Sequence, residues 1–280
     1  MASRKEQKEQ ARAARLAAEQ DAASSAARTR RLQLIGGSVV VAIAAVVVLI
    51  AISAGNNTPA ATKPHTKAAL AADKHVDSLL AGLHQSGNTI GNPNAPVTVT
   101  EFGDLECSVC DEFATPPTFT NPEGEAGTGM EDQLISQDVH DGTVKLEFRS
   151  METASSGNPD PDAFNLQQVA AEAAGLQGKE WNFVELFYNE QGTEGANYVN
   201  NAFIDGIAEQ IPGLNMAKFK SDLSLSSLLT EVNTDNTAAQ NAGATGTPTL
   251  DVQGPDGVKD LPSGLPSSFS EIQAAIKSVD

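Results

Sequence analysis

Residues 96–110 read PVTVTEFGDLECSVC, and this stretch decides the fold. Proline at its first position, followed by alternating Val and Thr, predicts a strand over 96–102. A helix is expected over Ser108–Ala114, stopped by Pro116 and Pro117. Where strand hands over to helix lies Cys107-Ser108-Val109-Cys110, which holds both cysteines of the 280-residue chain. Three chemistries compete for such a pair. A zinc site needs about four ligands, yet three of the four histidines (His65, His75 and His84, against His140) precede this strand. A structural disulfide enclosing two residues constrains the unfolded chain only weakly. A redox dithiol fits the placement, because N–H groups at a helix start favour the thiolate, the form that attacks disulfides.

Upstream, the composition changes twice. Residues 1–31 carry eight Lys and Arg against four acids, a net of +4. The whole chain has 18 basic and 36 acidic residues, so the remainder stands at −22. So negative a surface disfavours nucleic acid, whose phosphates need cations. Residues 34–54, LIGGSVVVAIAAVVVLIAISA, are 21 residues without a charge. That is long enough for a helix to cross a bilayer. Arg28, Arg30 and Arg31 flank it on one side only, which places the N-terminus in the cytoplasm and the rest outside. Cleavage near Ser53 and Ala54 is the rival reading, against which stand the long leader and the long apolar run. The expected organisation is a cytoplasmic basic tail over 1–33, a transmembrane helix over 34–54, an extracytoplasmic tether over 55–89 with one helical stretch near Lys67–Leu83, and a folded domain over 90–280.

Downstream, residues 116–129 hold three prolines and three glycines and read as a loop. Residues 130–138 suit a short helix, and TVKLEFR (143–149) is a second strand. Four segments between about 160 and 242 repeat apolar residues every three or four positions, as a helical block does. TLDVQ (249–253) and VKDL (258–261) read as a hairpin about Gly254–Gly257. A last helix starts at Ser268, with Glu271 completing a capping box. The whole is an α/β domain with inserted helices.

Gly246-Thr247-Pro248-Thr249 immediately precedes the TLDVQ strand. With GNPNAPVTVTEFGDLECSVC ahead of it and GTPTLDVQG after the helical block, residues 88–280 resemble the membrane-anchored DsbA-like thiol:disulfide oxidoreductases. The resemblance implies a thioredoxin-like fold split by a helical insertion. It also implies that Cys107 attacks, Cys110 resolves, Pro248 is a cis-proline packed on the dithiol, and Thr247 contacts a bound peptide strand. Glu101 takes the place of the family's buried acid, which accepts the proton Cys110 loses; as an isolated residue it reads equally well as outward-facing on its strand. The implied partners are cysteine-containing secreted proteins and a quinone-linked membrane oxidase, with no metal or dissolved cofactor. A non-catalytic peptide-binding module with a structural disulfide is the alternative from another class.

Two departures stand out. Ser108 occupies a place where many relatives carry proline and Val109 one where some carry histidine, and the 116–129 loop replaces what is usually continuous helix. Asp104, Glu106, Asp111 and Glu112 lie within four residues of a cysteine. Those at the surface are expected to raise the Cys107 pKa and weaken the disulfide as an oxidant.

Overall fold

The computed structural model describes residues 67–280. The basic tail and the expected transmembrane helix lie outside the described residues. Among the described residues no helix is long and apolar enough to cross a membrane.

Six strands form one sheet: β1 (Gln85–Ser86), β2 (Thr89–Gly91), β3 (Val97–Gly103), β4 (Val144–Ser150), β5 (Thr249–Gly254) and β6 (Gly257–Asp260). Their spatial order is β1-β2-β4-β3-β5-β6. The PVTVTEF strand is therefore central, parallel to β4 from Val97↔Val144 to Gly103↔Ser150 and antiparallel to β5 from Thr98↔Gln253 to Phe102↔Thr249. The alternation read from the sequence holds for Val97–Thr100, with Val97 and Val99 buried between partly exposed threonines. At Glu101, Phe102 and Gly103 every residue is buried, because that end of the strand is covered on both faces.

The helices are α1 (Lys67–Leu79), α2 (Ser108–Ala114), α3 (Met130–Leu134), α4 (Ala163–Gly175), α5 (Glu180–Asn189), α6 (Asn201–Gln210), α7 (Met216–Asp222), α8 (Ser226–Asn241) and α9 (Phe269–Val279). A π turn over Ile135–Val139 prolongs α3. Helices α4 to α8 are the insertion; α8 packs on β4 and α9 on β5 and β6. Trp181, Phe183, Phe187, Tyr198, Phe203 and Phe219 are buried within the insertion. Phe187–Phe203 and Tyr198–Phe203 meet edge-to-face with centroids 5.1 Å apart.

Three details differ from the sequence reading. The folded unit begins before Ile90: Ala72, Val76, Leu79 and Leu80 of the 67–80 stretch join the core, and α1 packs on α5. Their three- and four-residue spacing puts them on one helical face. The β1–β2 hairpin and α7 add elements too short for a periodic signal to announce. The capping box does not form as expected. Glu271 instead accepts from the Ser267 N–H (2.8 Å) and Oγ–H (2.7 Å), while the Ser268 hydroxyl pairs with that of Ser270. The carboxylate reaches one residue further back and satisfies two donors there.

Candidate functional site: a dithiol among carboxyls

Strand β3 delivers the chain to Gly103, where a side chain has no room. A Cβ there would lie 2.6 Å from Phe148 Cε2 and 2.8 Å from the Tyr188 hydroxyl. The Asp104–Leu105–Glu106 turn follows, closed by the Cys107 N–H donating to the Asp104 carbonyl (2.9 Å). Cys107 then stands immediately before α2 with extended backbone angles, as its N-cap. The sequence therefore places the first thiol at a helix start, and the next turn carries Cys110 inward.

Asp104 holds this turn in place. One carboxylate oxygen accepts from the N–H of Thr153 (2.8 Å), the N–H of Ser155 (3.0 Å) and the Ser155 hydroxyl (2.6 Å). The other accepts from the Glu106 N–H (3.1 Å) and the Gln167 amide (3.2 Å). Burial pushes its pKa up, and these hydrogen bonds oppose the rise. From the end of α5, the Gln191 amide donates to the carbonyls of Leu105 (2.6 Å) and Cys107 (3.1 Å). Thr153 carries the network on, its hydroxyl 2.6 Å from that of Thr247. The dithiol turn, the loop after β4 and the loop before β5 are thus tied by side chains.

The Thr247–Pro248 peptide is cis, as the resemblance implies. The Cys107 thiol donates to the Thr247 carbonyl at 3.5 Å, which brings together two residues 140 positions apart. Both cysteines are unbridged and buried, Cys107 at 6 % exposure and Cys110 at 0 %. Their environments split their acidity. A hydrogen bond from Cys110 lowers the Cys107 pKa most; burial opposes it, and the Thr247 hydroxyl and the N–H groups of Cys110 and Val109 lower it further. Burial, with the Cys107 sulfur and Glu101 adding negative charge, pushes Cys110 well above the ordinary thiol value.

The expected effect of the acids next to the dithiol is corrected by this geometry. Asp104, Glu106 and Asp111 are buried rather than displayed. Burial raises Glu106 to about 7 and Asp111 to about 8, so they are not full surface charges at neutral pH. The hydrogen bonds around Cys107 prevail, and its pKa falls.

Glu101 lies beneath the dithiol at 1 % exposure, which removes the outward-facing reading. Burial raises it to about 7, against a hydrogen bond from the Glu131 carboxyl of α3. Glu131 is pushed well above the usual carboxylate range by burial and by Glu101, so it is the neutral donor of that pair. Glu185 of α5 is buried nearby and likewise raised. The Tyr188 hydroxyl has no hydrogen-bond partner among the described residues.

Sequence reasoning named Glu101, Cys107, Cys110, Thr247 and Pro248, and the structure gathers the cysteines, Thr247 and Glu101 at one end of β3. It named Asp104 only as an acid near the dithiol, not as an anchor, and did not name Thr153, Gln191 or Glu194, the last of which accepts from Ser108. Nothing local to those residues announces contacts made across 49 to 94 positions. Among the described residues no group of three or more His, Cys, Asp or Glu is arranged to hold a metal.

A thiol pair beginning a helix, facing the carbonyl before a cis-proline, on a sheet ordered in this way, defines a thioredoxin-fold dithiol protein. A family model described as Thioredoxin matches residues 84–277, and the chain belongs to that family. It is 24 % identical over 174 residues to the probable disulfide bond formation protein D of Bacillus cereus, covering 61 % of this chain and 72 % of that one. Its fold matches that of BdbD from Bacillus subtilis with a TM-score of 0.53 at 21 % identity, over 69 % of this chain and 94 % of BdbD. It also matches the thiol-disulfide exchange protein alpha-DsbA2 of Wolbachia pipientis, with a TM-score of 0.51 at 16 % identity, over 78 % of this chain and all of the other.

Proposed function

We propose that this protein is a thiol:disulfide oxidoreductase that forms or exchanges disulfides in proteins outside the cytoplasm, held at the membrane by residues 34–54. The observation that carries the reading is the geometry of an unequal pair. Cys107 stands at the start of α2 with its thiol 3.5 Å from the Thr247 carbonyl before the cis-proline, and Cys110 is fully buried. Hydrogen bonds therefore lower the first thiol's pKa and burial raises the second's. A structural disulfide has no use for that asymmetry; an exchange enzyme does. The disulfide bond formation proteins among its relatives support the same reading.

In the oxidising direction, a substrate thiolate attacks Cys107 Sγ of the Cys107–Cys110 disulfide. A mixed disulfide forms and Cys110 leaves as a thiolate, which takes up a proton because its pKa is high. The substrate's second thiolate then attacks its own half of the mixed disulfide and releases Cys107. Two substrate thiols are oxidised and one enzyme disulfide is reduced. Glu101, near neutrality in pKa, supplies or receives the Cys110 proton, and the Thr247 backbone at the cis-proline lies beside the attacked sulfur. Reoxidation would fall to a quinone-linked membrane oxidase.

The test is recovery of activity by a reduced, unfolded, disulfide-dependent protein incubated with the oxidised full-length chain. Recovery that disappears in Cys107→Ser supports the reading. A chain that binds the unfolded protein but never changes its thiol content is a binding module instead.

A further inference from the structure

Ser108 follows the attacking cysteine, and both of its hydrogen-bond donors go to one carboxylate oxygen. Glu194, from the loop after α5, accepts the Ser108 N–H at 3.1 Å and the Ser108 hydroxyl at 2.7 Å through the same atom. Glu194 is itself fixed, since its N–H donates to Glu123 of the 116–129 loop at 2.8 Å. Three successive N–H groups at the start of α2 are thus divided. The first goes to Glu194, and those of Val109 and Cys110 serve the Cys107 sulfur.

We propose that Glu194 is a positioning residue that holds down the oxidising power of the Cys107–Cys110 couple by keeping a carboxylate on the Ser108 N–H and hydroxyl. The proposal rests on the redox reading of the dithiol above. A carboxylate one residue from the sulfur repels both the Cys107 thiolate and an incoming substrate thiolate. It also occupies a donor that would otherwise face them. The destabilised thiolate destabilises the reduced enzyme, so the disulfide draws electrons less strongly. The two sequence departures acquire a joint purpose here. Proline after Cys107 has no N–H and could not hold Glu194, and the Pro- and Gly-rich loop supplies the Glu123 carboxylate that anchors it.

Asp104, Glu106, Asp111, Glu112 and Glu123 remain in place in every variant of the test, so differences report the Glu194–Ser108 contact and not the other acids. Full-length wild type, Glu194→Gln, Ser108→Pro and the double variant are equilibrated with glutathione buffers. The Cys107 thiolate is titrated separately on the reduced proteins by alkylation rate against pH, which needs no substrate turnover. Proline is tolerated at the first position of a helix, so Ser108→Pro removes both donors without breaking α2.

Glu194→Gln is expected to favour the reduced enzyme about threefold, or about 14 mV at ~30 mV per tenfold. The Cys107 titration should fall by about half a unit, and the effect should shrink as salt is raised. Because Glu194 acts through Ser108, the double variant should match the single ones rather than multiply them. Unchanged potential and titration, a shift toward a weaker oxidant, or fully multiplicative effects would each overturn the proposal. So would a lowered melting temperature with neither redox quantity moved. A failed refolding assay beside a shifted thiolate titration would sink the oxidoreductase reading and leave the Glu194 effect standing.

Discussion

The rim of the dithiol and the floor beneath it are both built from carboxyls, and they are built oppositely. At the rim, Asp104 accepts from Thr153, Ser155, the Glu106 backbone N–H and the Gln167 amide, Glu106 from the Asn158 amide at 2.7 Å, and Glu194 from Ser108. On the floor, Glu101, Glu131 and Glu185 face one another and the unpaired Tyr188 hydroxyl, with burial as the leading cause of each raised pKa. Burial raises carboxyls on both sides. At the rim, hydrogen-bond donors oppose the rise at Asp104 and Glu106, whereas on the floor neighbouring carboxyls reinforce it at Glu131 and Glu185. The rim is therefore a place to hold backbone and tune charge. The floor gathers protonatable carboxyls close enough to Cys110 that Glu101 adds to burial in raising its pKa.

The largest expected effect separates the two cysteines that span this divide. Cys110→Ser should abolish turnover and accumulate mixed disulfides between Cys107 and substrate proteins, visible on non-reducing gels after acid quenching. No other cysteine in the chain can release them. If Cys107→Ser traps adducts instead, the assignment of attacking and resolving thiols is inverted.

Next in size is the rim's central anchor. Asp104→Ala leaves the N–H groups of Thr153, Ser155 and Glu106 and the Gln167 amide without their acceptor inside the protein. Stranding several buried donors together costs on the order of 3–5 kcal/mol. Urea denaturation followed by tryptophan fluorescence reads it, since Trp181 is buried in the adjoining insertion. A loss below about 1 kcal/mol would show that water replaces the carboxylate, and the rim would not be the rigid partner in the comparison.

These contacts show where the sequence is legible. The central strands and α2 follow from patterns contained within ten residues: alternating Val and Thr, a proline stop, a cysteine at a helix start. Cys107, Cys110 and Pro248 were readable for the same reason, since their residue types are uncommon and their order is specific. Asp104, Glu106 and Asp111 were misjudged because a carboxylate beside a cysteine looks like surface charge. Whether it is covered depends on Ser155, Gln167, Asn158 and Thr115, which lie elsewhere in the chain except for Thr115. Glu101 could be read two ways until β5 and α3 were seen to cover its strand end. Contacts that long in sequence leave no local trace in one chain.

A smaller effect probes the floor. Glu101 has a folded-state pKa of about 7, above the usual carboxylate value. Its raised value favours folding fully below about pH 4.5, and this contribution is lost as pH rises through 7. Glu101→Gln removes the ionisation, so relative to wild type it should gain on the order of 2–3 kcal/mol in stability between pH 5 and pH 8. The same change should slow formation of the mixed disulfide, the step in which Cys110 leaves Cys107 and takes up a proton, about tenfold at pH 7 and erase a rate inflection near that pH. Thermal melts and stopped-flow exchange at several pH values measure the two effects. A variant that tracks wild type at every pH would mean that Glu101 does not supply or receive the Cys110 proton.

The smallest effect asks whether the rim keeps its charge because of its donors. Asn158 gives its amide to Glu106 at 2.7 Å, the hydrogen bond that holds the Glu106 pKa down against burial. It also accepts from the Asp160 N–H at 2.9 Å, a local turn bond that Asn158→Ala would break at any pH. Comparison across pH isolates the first bond from the second. At pH 8 wild-type Glu106, with its pKa of about 7, is mostly ionised and the lost bond is charge-assisted. At pH 5 it is protonated, and the lost bond is an ordinary one. Asn158→Ala should therefore cost roughly 1.5 kcal/mol at pH 8 and about half of that at pH 5. Calorimetric melts of wild type and variant at the two pH values give the difference directly. Equal losses at both would place Glu106 with Glu131 and Glu185 as a carboxyl that stays neutral whatever donates to it, and the boundary between rim and floor would then run through Asp104 alone.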